Sequence, residues 1–178
     1  QQKKIDFMHS LAALEPDLVM NTGDNLSHVD GMGPLLEALD PLMDFPGVFV
    51  PGSNCYFAPV FKNPARYLWQ PRTPQMIEEG SRVALPIERM HEAFESRGWT
   101  GLVNRYDTLN LKGLRLEFSG VDDPHLRYDE HPGFAPGAFD EGQEPSVRIG
   151  VAHAPYMRTL YRFVQDGAQA IFAGHTHG

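Results

Sequence analysis

Apolar residues recur at helical spacing in four stretches of the chain and cluster or alternate at strand length in six others. Over 1–14, Ile5, Met8, Leu11 and Ala12 fall on one face with polar residues between them, which predicts an amphipathic helix. Glu15-Pro16-Asp17 breaks it, and the apolar run Leu18-Val19-Met20 leads into Asn21-Thr22-Gly23-Asp24-Asn25, a loop signal. A second helix is expected over 34–43, with Leu35, Leu36, Leu39, Leu42 and Met43 on one side and Pro34 near its start. Val48-Phe49-Val50 then reads as a strand that ends in Pro51-Gly52-Ser53-Asn54-Cys55. Two strand–loop–helix units in succession suggest α/β architecture with loops gathered at the C-terminal ends of the strands.

The pattern changes over 56–82. Pro59, Pro64, Pro71 and Pro74, interleaved with Tyr56, Tyr67 and Trp69, leave no room for a long helix. Its aromatic content is high for a linker, so an ordered excursion or lid is expected. Residues 87–97 return to helical spacing, with Ile87, Met90, His91 and Phe94 on one side and Gly98 as the stop. Residues 106–111 and 114–118 read as two strands joined at Lys112-Gly113. The Gly-, Pro- and acid-rich 122–145 reads as a long surface loop. A strand over 147–152, a helix over 156–164 with Met157, Leu160, Tyr161 and Val164 inward, and a strand over 170–173 complete the series. That last strand runs into Gly174-His175-Thr176-His177-Gly178.

Composition narrows the function classes. At 178 residues, the chain is expected to form a single domain with a sizeable core. A net charge of −8 argues against nucleic acid or an anionic membrane as the main partner. No apolar run reaches the roughly 20 residues of a membrane span, and no signal peptide opens the chain. The lone Cys55 cannot form an internal disulfide, so a cytoplasmic protein is expected.

Candidate chemistry lies where the strands end. The strand at 18–20 delivers Asp24, that at 48–50 delivers Asn54, that at 147–152 delivers His153, and that at 170–173 delivers His175 and His177. Each residue has an ordinary reading as well: Asp24 and Asn54 suit Asx turns, and His153 suits a hydrogen-bonded core histidine. Two histidines flanked by glycines make a poor turn and a poor core, and the four strand ends taken together point to a metal centre. Histidine with carboxylate oxygen suits divalent Zn, Mn or Fe. If residues 175–177 are extended, His175 and His177 project to the same side. Asp122-Asp123-Pro124-His125 reads as a solvated turn, with a substrate contact as the alternative. His9, His28, His91 and His131 show no partner pattern.

These residues resemble the calcineurin-like metallophosphoesterase superfamily, whose ordered motifs are Asp-x-His, Gly-Asp, Gly-Asn-His, a lone His and Gly-His-x-His. Gly23-Asp24 matches the second, Gly52-Ser53-Asn54 resembles the third, His153 the fourth and Gly174-His175-Thr176-His177 the fifth. The resemblance runs over nearly the whole chain and keeps motif order. It implies a four-layer α/β/β/α sandwich with two divalent metal ions that hydrolyses a phosphate mono- or diester of a small molecule by attack of a metal-bridging hydroxide. Asp24 would bridge the metals; Asn54, His153 and His175 would complete one, and His177 would belong to the other. Two cations about 3.5–4 Å apart acidify a shared water and stabilise the transition state by charge.

Two departures accompany the resemblance. Asp-x-His is absent, and the resemblance places it on a strand upstream of Gln1, so a domain truncated at its first strand and again after Gly178 is expected. Cys55 stands where the family commonly has a histidine that helps protonate the leaving group. A thiol serves that role poorly, though it can ligate a soft metal; a small turn residue is the other reading. If the motif losses are real, a catalytically inactive binding or scaffolding module is the competing function. An amidohydrolase-type enzyme would carry His-x-His near its first strand, whereas here the motif closes the chain.

Overall fold

A computed structural model of the chain describes residues 2–59, 83–136 and 146–176. Most of the expected excursion, including Tyr67 and Trp69, lies outside the described residues, as do 137–145 of the acidic loop and His177. The described chain is mixed α/β, with helices and two open sheets. Among the described residues no helix is long and apolar enough to cross a membrane.

The first sheet is built from short parallel strands. Helix α1 (Gln2–Ala12) precedes β1 (Val19–Asn21), and α2 (Met32–Leu39) leads to β2 (Gly47–Phe49), which pairs with β1. A one-turn helix α3 (Ser53–Tyr56) follows, in a stretch that reads as loop in the sequence. Helix α4 (Ile87–Ser96) then leads to β3 (Thr100–Gly101), a two-residue strand paired with β2. Two residues are too few to show a period, and β3 was not expected from the sequence. Helix α2 begins two residues before the expected 34 and ends at Leu39, with Pro34 in its first turn, where the missing N–H matters little. Leu42 and Met43 still reach the core from the turn that follows.

The second sheet has the order β4 (Arg105–Leu111), β5 (Leu114–Gly120), β6 (Ser146–Ala152), β7 (Ala170–Ala173). The hairpin β4–β5 is antiparallel, with Leu111 opposite Leu114 across the expected Lys112-Gly113 turn. The pairs β5–β6 and β6–β7 are parallel. Helix α5 (Met157–Gln165) joins β6 to β7.

Three apolar clusters hold these elements. Period-two alternation splits β2: Phe49 packs with Leu39, Met90, Phe94 and Trp99 among the helices, whereas Val48 joins Val50 and Leu102 against Leu116, Phe118, Ile149 and Val151 of the second sheet. A smaller cluster of Val121, Ala152 and Phe163 seats α5. Here the helix differs from the sequence expectation. Its buried residues are Thr159 and Phe163, while Met157, Tyr161 and Val164 are exposed. The exposed face is the more apolar in sequence, but the surface beneath the helix accepts the Thr159–Phe163 face instead. A Cβ at Gly150 would lie 2.7 Å from the Phe163 ring, so the bare glycine backbone makes the seat that this ring fills. On the same side of β5, the buried carboxylate of Glu117 is held by Arg115 at 3.1 Å and Arg148 at 3.3 Å.

Candidate metal centre

The parallel strands β1 and β2 end at one edge of the first sheet, and β6 and β7 end together at one edge of the second. Packing of the two sheets brings those edges together. The result is a cluster of Asp24, His153 and His175, one potential ligand atom from each lying within 4.8 Å of the others. Three of the five residues expected to bind metal are thereby united by side chains 151 residues apart at the extremes. Asn54 stands beside them: its backbone N–H donates to Asp24 Oδ1 at 2.8 Å and its side-chain amide to Asp24 Oδ2 at 2.9 Å. These two bonds fix the carboxylate.

Local backbone geometry follows from crowding at this junction. Asp24 has φ +58° and His175 has φ +68°, left-handed values that cost a non-glycine residue energy unless its surroundings impose them. At His175 a three-residue turn closes with Thr176 N–H donating to Gly174 C=O at 2.8 Å. The segment therefore turns at His175, so the condition of an extended segment, under which His175 and His177 would project to the same side, is not met at that residue. Gly52 admits the other loop. A Cβ on it would lie 2.5 Å from Asp24 Oδ1 and 2.6 Å from His153 Nδ1.

The donor set suits a cation. His153 is almost fully buried, and its Nδ1–H donates to the Thr22 carbonyl at 2.6 Å. In the neutral ring this leaves the lone pair on Nε2, which lies 3.2 Å from His175 Nδ1 and 3.4 Å from Asp24 Oδ1. A ligand histidine whose other nitrogen donates to a backbone carbonyl is the usual arrangement around a metal. The electrostatics agree. Burial opposes charge on His153, but the hydrogen bonds to Asp24 and Thr22 and the charges of Asp24 and Asp123 outweigh it and raise its pKa. Burial likewise opposes charge on Asp24, yet the bonds from His153 and Asn54 hold its carboxyl below the ordinary value. The spot favours positive charge, which a proton on Nε2 or a divalent cation would supply. Three protein ligands are the number common in catalytic zinc sites.

Cys55 takes no part in this cluster. Its side chain is fully buried among the helices, where Sγ accepts the Asn25 N–H at 3.4 Å, and burial pushes the thiol pKa up. The small-residue reading fits it. The Asp122–His125 segment is not a solvated turn. Asp122 and Asp123 are buried, Asp122 accepting the Tyr56 hydroxyl at 2.7 Å. Asp123 accepts the N–H groups of His125 at 2.9 Å and Leu126 at 3.2 Å. His125 is exposed, with its ring centroid 5.0 Å from that of His175. Two contributors had no sequence signal: the Thr22 carbonyl, which orients His153, and Tyr156, whose hydroxyl bonds His125. Both depend on contacts between distant loops.

No protein-family model matches the chain, and no curated protein matches it. The geometry of the cluster is what bears on function.

Proposed function

We propose that the chain is a metal-dependent phosphoesterase of the calcineurin-like type, acting on a phosphate mono- or diester of a small molecule. The observation that carries this reading is the convergence of Asp24, His153 and His175 from three loops, with Asn54 braced against Asp24. When bound, divalent cations supply Lewis-acid polarisation of the ester and acidification of water. The protein's own residues have distinct tasks. Asp24, His153 and His175 would hold a cation, the Thr22 carbonyl fixes the His153 tautomer, and Asn54 sets the angle of the Asp24 carboxylate.

The full proposal has two divalent ions in a four-layer α/β/β/α sandwich. The three apolar clusters, lying between helices and first sheet, between the sheets, and between second sheet and α5, support that layering. The second ion would take Asp24, His177 and an Asp-x-His pair on a further strand. Strand β1 is an edge among the described residues, and a groove of about 480 Å³ lined by Met8, Leu11, Leu18, Met20, Leu42 and Trp99 runs beside it to Gly23. A strand paired there would arrive beside Asp24.

The test is metal content together with hydrolysis of p-nitrophenyl phosphate and its bis-ester, for this chain and for one extended upstream. Turnover by the extended protein that is lost in His175→Ala is expected. Metal binding without turnover would favour the scaffold reading, and less than one metal per extended chain would end the phosphoesterase reading.

A further inference from the structure

The geometry points to His125 as an anchor for the substrate phosphate, held in place by Tyr156; this rests on the metal-site reading above. A phosphate ester at a cluster of one carboxylate and two histidines that hold a cation gains from hydrogen-bond donors that do not belong to the metal ligands. Cys55 cannot serve, being sealed in the core. His125 is on the surface with its ring against His175, tilted by 36° at 5.0 Å between centroids, and so borders the cluster on its solvent side.

Its position is fixed from several directions. Asp123, fully buried, closes the turn by accepting the His125 and Leu126 N–H groups. The residues on either side are tied to α5: Arg158 donates to the Pro124 carbonyl at 2.6 Å and to Asp129 at 2.8 Å, and Thr159 donates to Asp129 at 2.8 Å. Asn104 braces the same loop from β4's entrance, accepting the N–H groups of Asp122 and Glu130. Tyr156 then fixes the ring itself, its hydroxyl 2.9 Å from His125 Nδ1. With that hydroxyl donating to Nδ1, the neutral ring carries its hydrogen on Nε2, a donor available to a phosphate oxygen. The Arg158 guanidinium over the Tyr156 ring, at 4.8 Å, steadies the tyrosine. A donor held rigidly before the ligand arrives loses little entropy on binding.

The experiment loads the full chain with Mn²⁺, follows it by electron paramagnetic resonance, and titrates inorganic phosphate by calorimetry. A hydrogen bond to a charged group corresponds to roughly a 10–100-fold change in affinity. His125→Ala is therefore expected to weaken phosphate by at least about tenfold, with Mn²⁺ affinity unchanged. His125→Gln, which keeps an N–H donor near the Nε2 position, should recover part of the loss. Tyr156→Phe should weaken phosphate several-fold in the native background and add nothing to His125→Ala, as coupled partners do. Unchanged phosphate affinity in a folded His125→Ala, equal loss in the Gln variant, or loss of Mn²⁺ along with phosphate would overturn the anchor. A native chain that binds Mn²⁺ but no phosphate overturns it while leaving the metal site standing. A native chain that binds no Mn²⁺ overturns both.

Discussion

Substituting Gly52 by alanine adds one methyl group at the point where three loops meet and removes no ligand. The backbone at Gly52 is extended, φ −121° and ψ 174°, so alanine meets no conformational penalty there. The added Cβ would sit 2.5 Å from Asp24 Oδ1 and 2.6 Å from His153 Nδ1. Ordinary contact begins near 3.4 Å, so both groups must retreat by roughly 0.9 Å. Neither can do so cheaply. Asp24 is held by two bonds from Asn54, and His153 by its bond to Thr22. Overpacking of this kind costs about 1–3 kcal/mol. The functional effect is larger, because metal sites tolerate ligand displacements of only about 0.2 Å. Loss of outer support alone commonly weakens metal about 10–100-fold, and displacing two ligands should do at least as much. The assay pairs urea unfolding, followed by circular dichroism, with Mn²⁺ titration. Gly33→Ala is the control, since a Cβ there meets nothing within 4 Å and lies in α2; helix propensity predicts about 0.5–1 kcal/mol of stabilisation. A Gly52→Ala protein with native stability and native Mn²⁺ affinity would refute the claim that these loops converge to bind a cation.

Other consequences can be checked separately. Because His153 has a pKa raised above 6.5 through Asp24, Mn²⁺ must displace a proton, and affinity should climb with pH through and beyond 6.5 before levelling; affinity that is flat from pH 5.5 to 8 would contradict this. In the metal-free protein the signs are opposite for the two partners. His153 contributes stability below pH 6.5 that is lost as pH rises through its folded value, whereas Asp24 contributes above 3.8 and is lost as pH falls through its own. Phe163→Ala should cost about 3–5 kcal/mol, while Tyr161→Ala on the exposed stripe stays within about 0.5 kcal/mol; equal losses by thermal unfolding would mean that α5 is seated the other way round. Tyr56→Phe removes the donor to buried Asp122, an expected loss of about 1.5–3 kcal/mol at neutral pH. Burial raises the Asp122 pKa, so this loss should shrink in acid as the carboxyl takes up a proton; a pH-independent loss would show that the charge is irrelevant.

The residues of the metal cluster were legible because each follows a recognisable strand: Asp24 after β1, His153 after β6 and His175 after β7. Parallel pairing then places those strand ends together almost irrespective of loop detail. What the sequence left open depends on contacts between loops or on surfaces without a period. In α5 the stripe Met157, Leu160, Tyr161 and Val164 is the more apolar in one dimension, yet Thr159 and Phe163 are buried because Gly150 on the neighbouring strand leaves a seat for the Phe163 ring. The turn at His175 comes from a bond between Thr176 and Gly174 that an extended reading of His-x-His does not contain. Burial of Asp122 and Asp123 in an acid-rich stretch ran against composition, since only a tyrosine 66 positions away and local N–H groups make it tolerable.

The most direct measurement is metal per chain after equilibration with Mn²⁺ or Zn²⁺ and removal of excess, for the native protein and for Asp24→Ala, His153→Ala and His175→Ala. At least one ion is expected on the native chain and that ion is expected to be lost in each variant, with folding verified by circular dichroism. Native metal content in folded Asp24→Ala and His153→Ala would contradict that expectation.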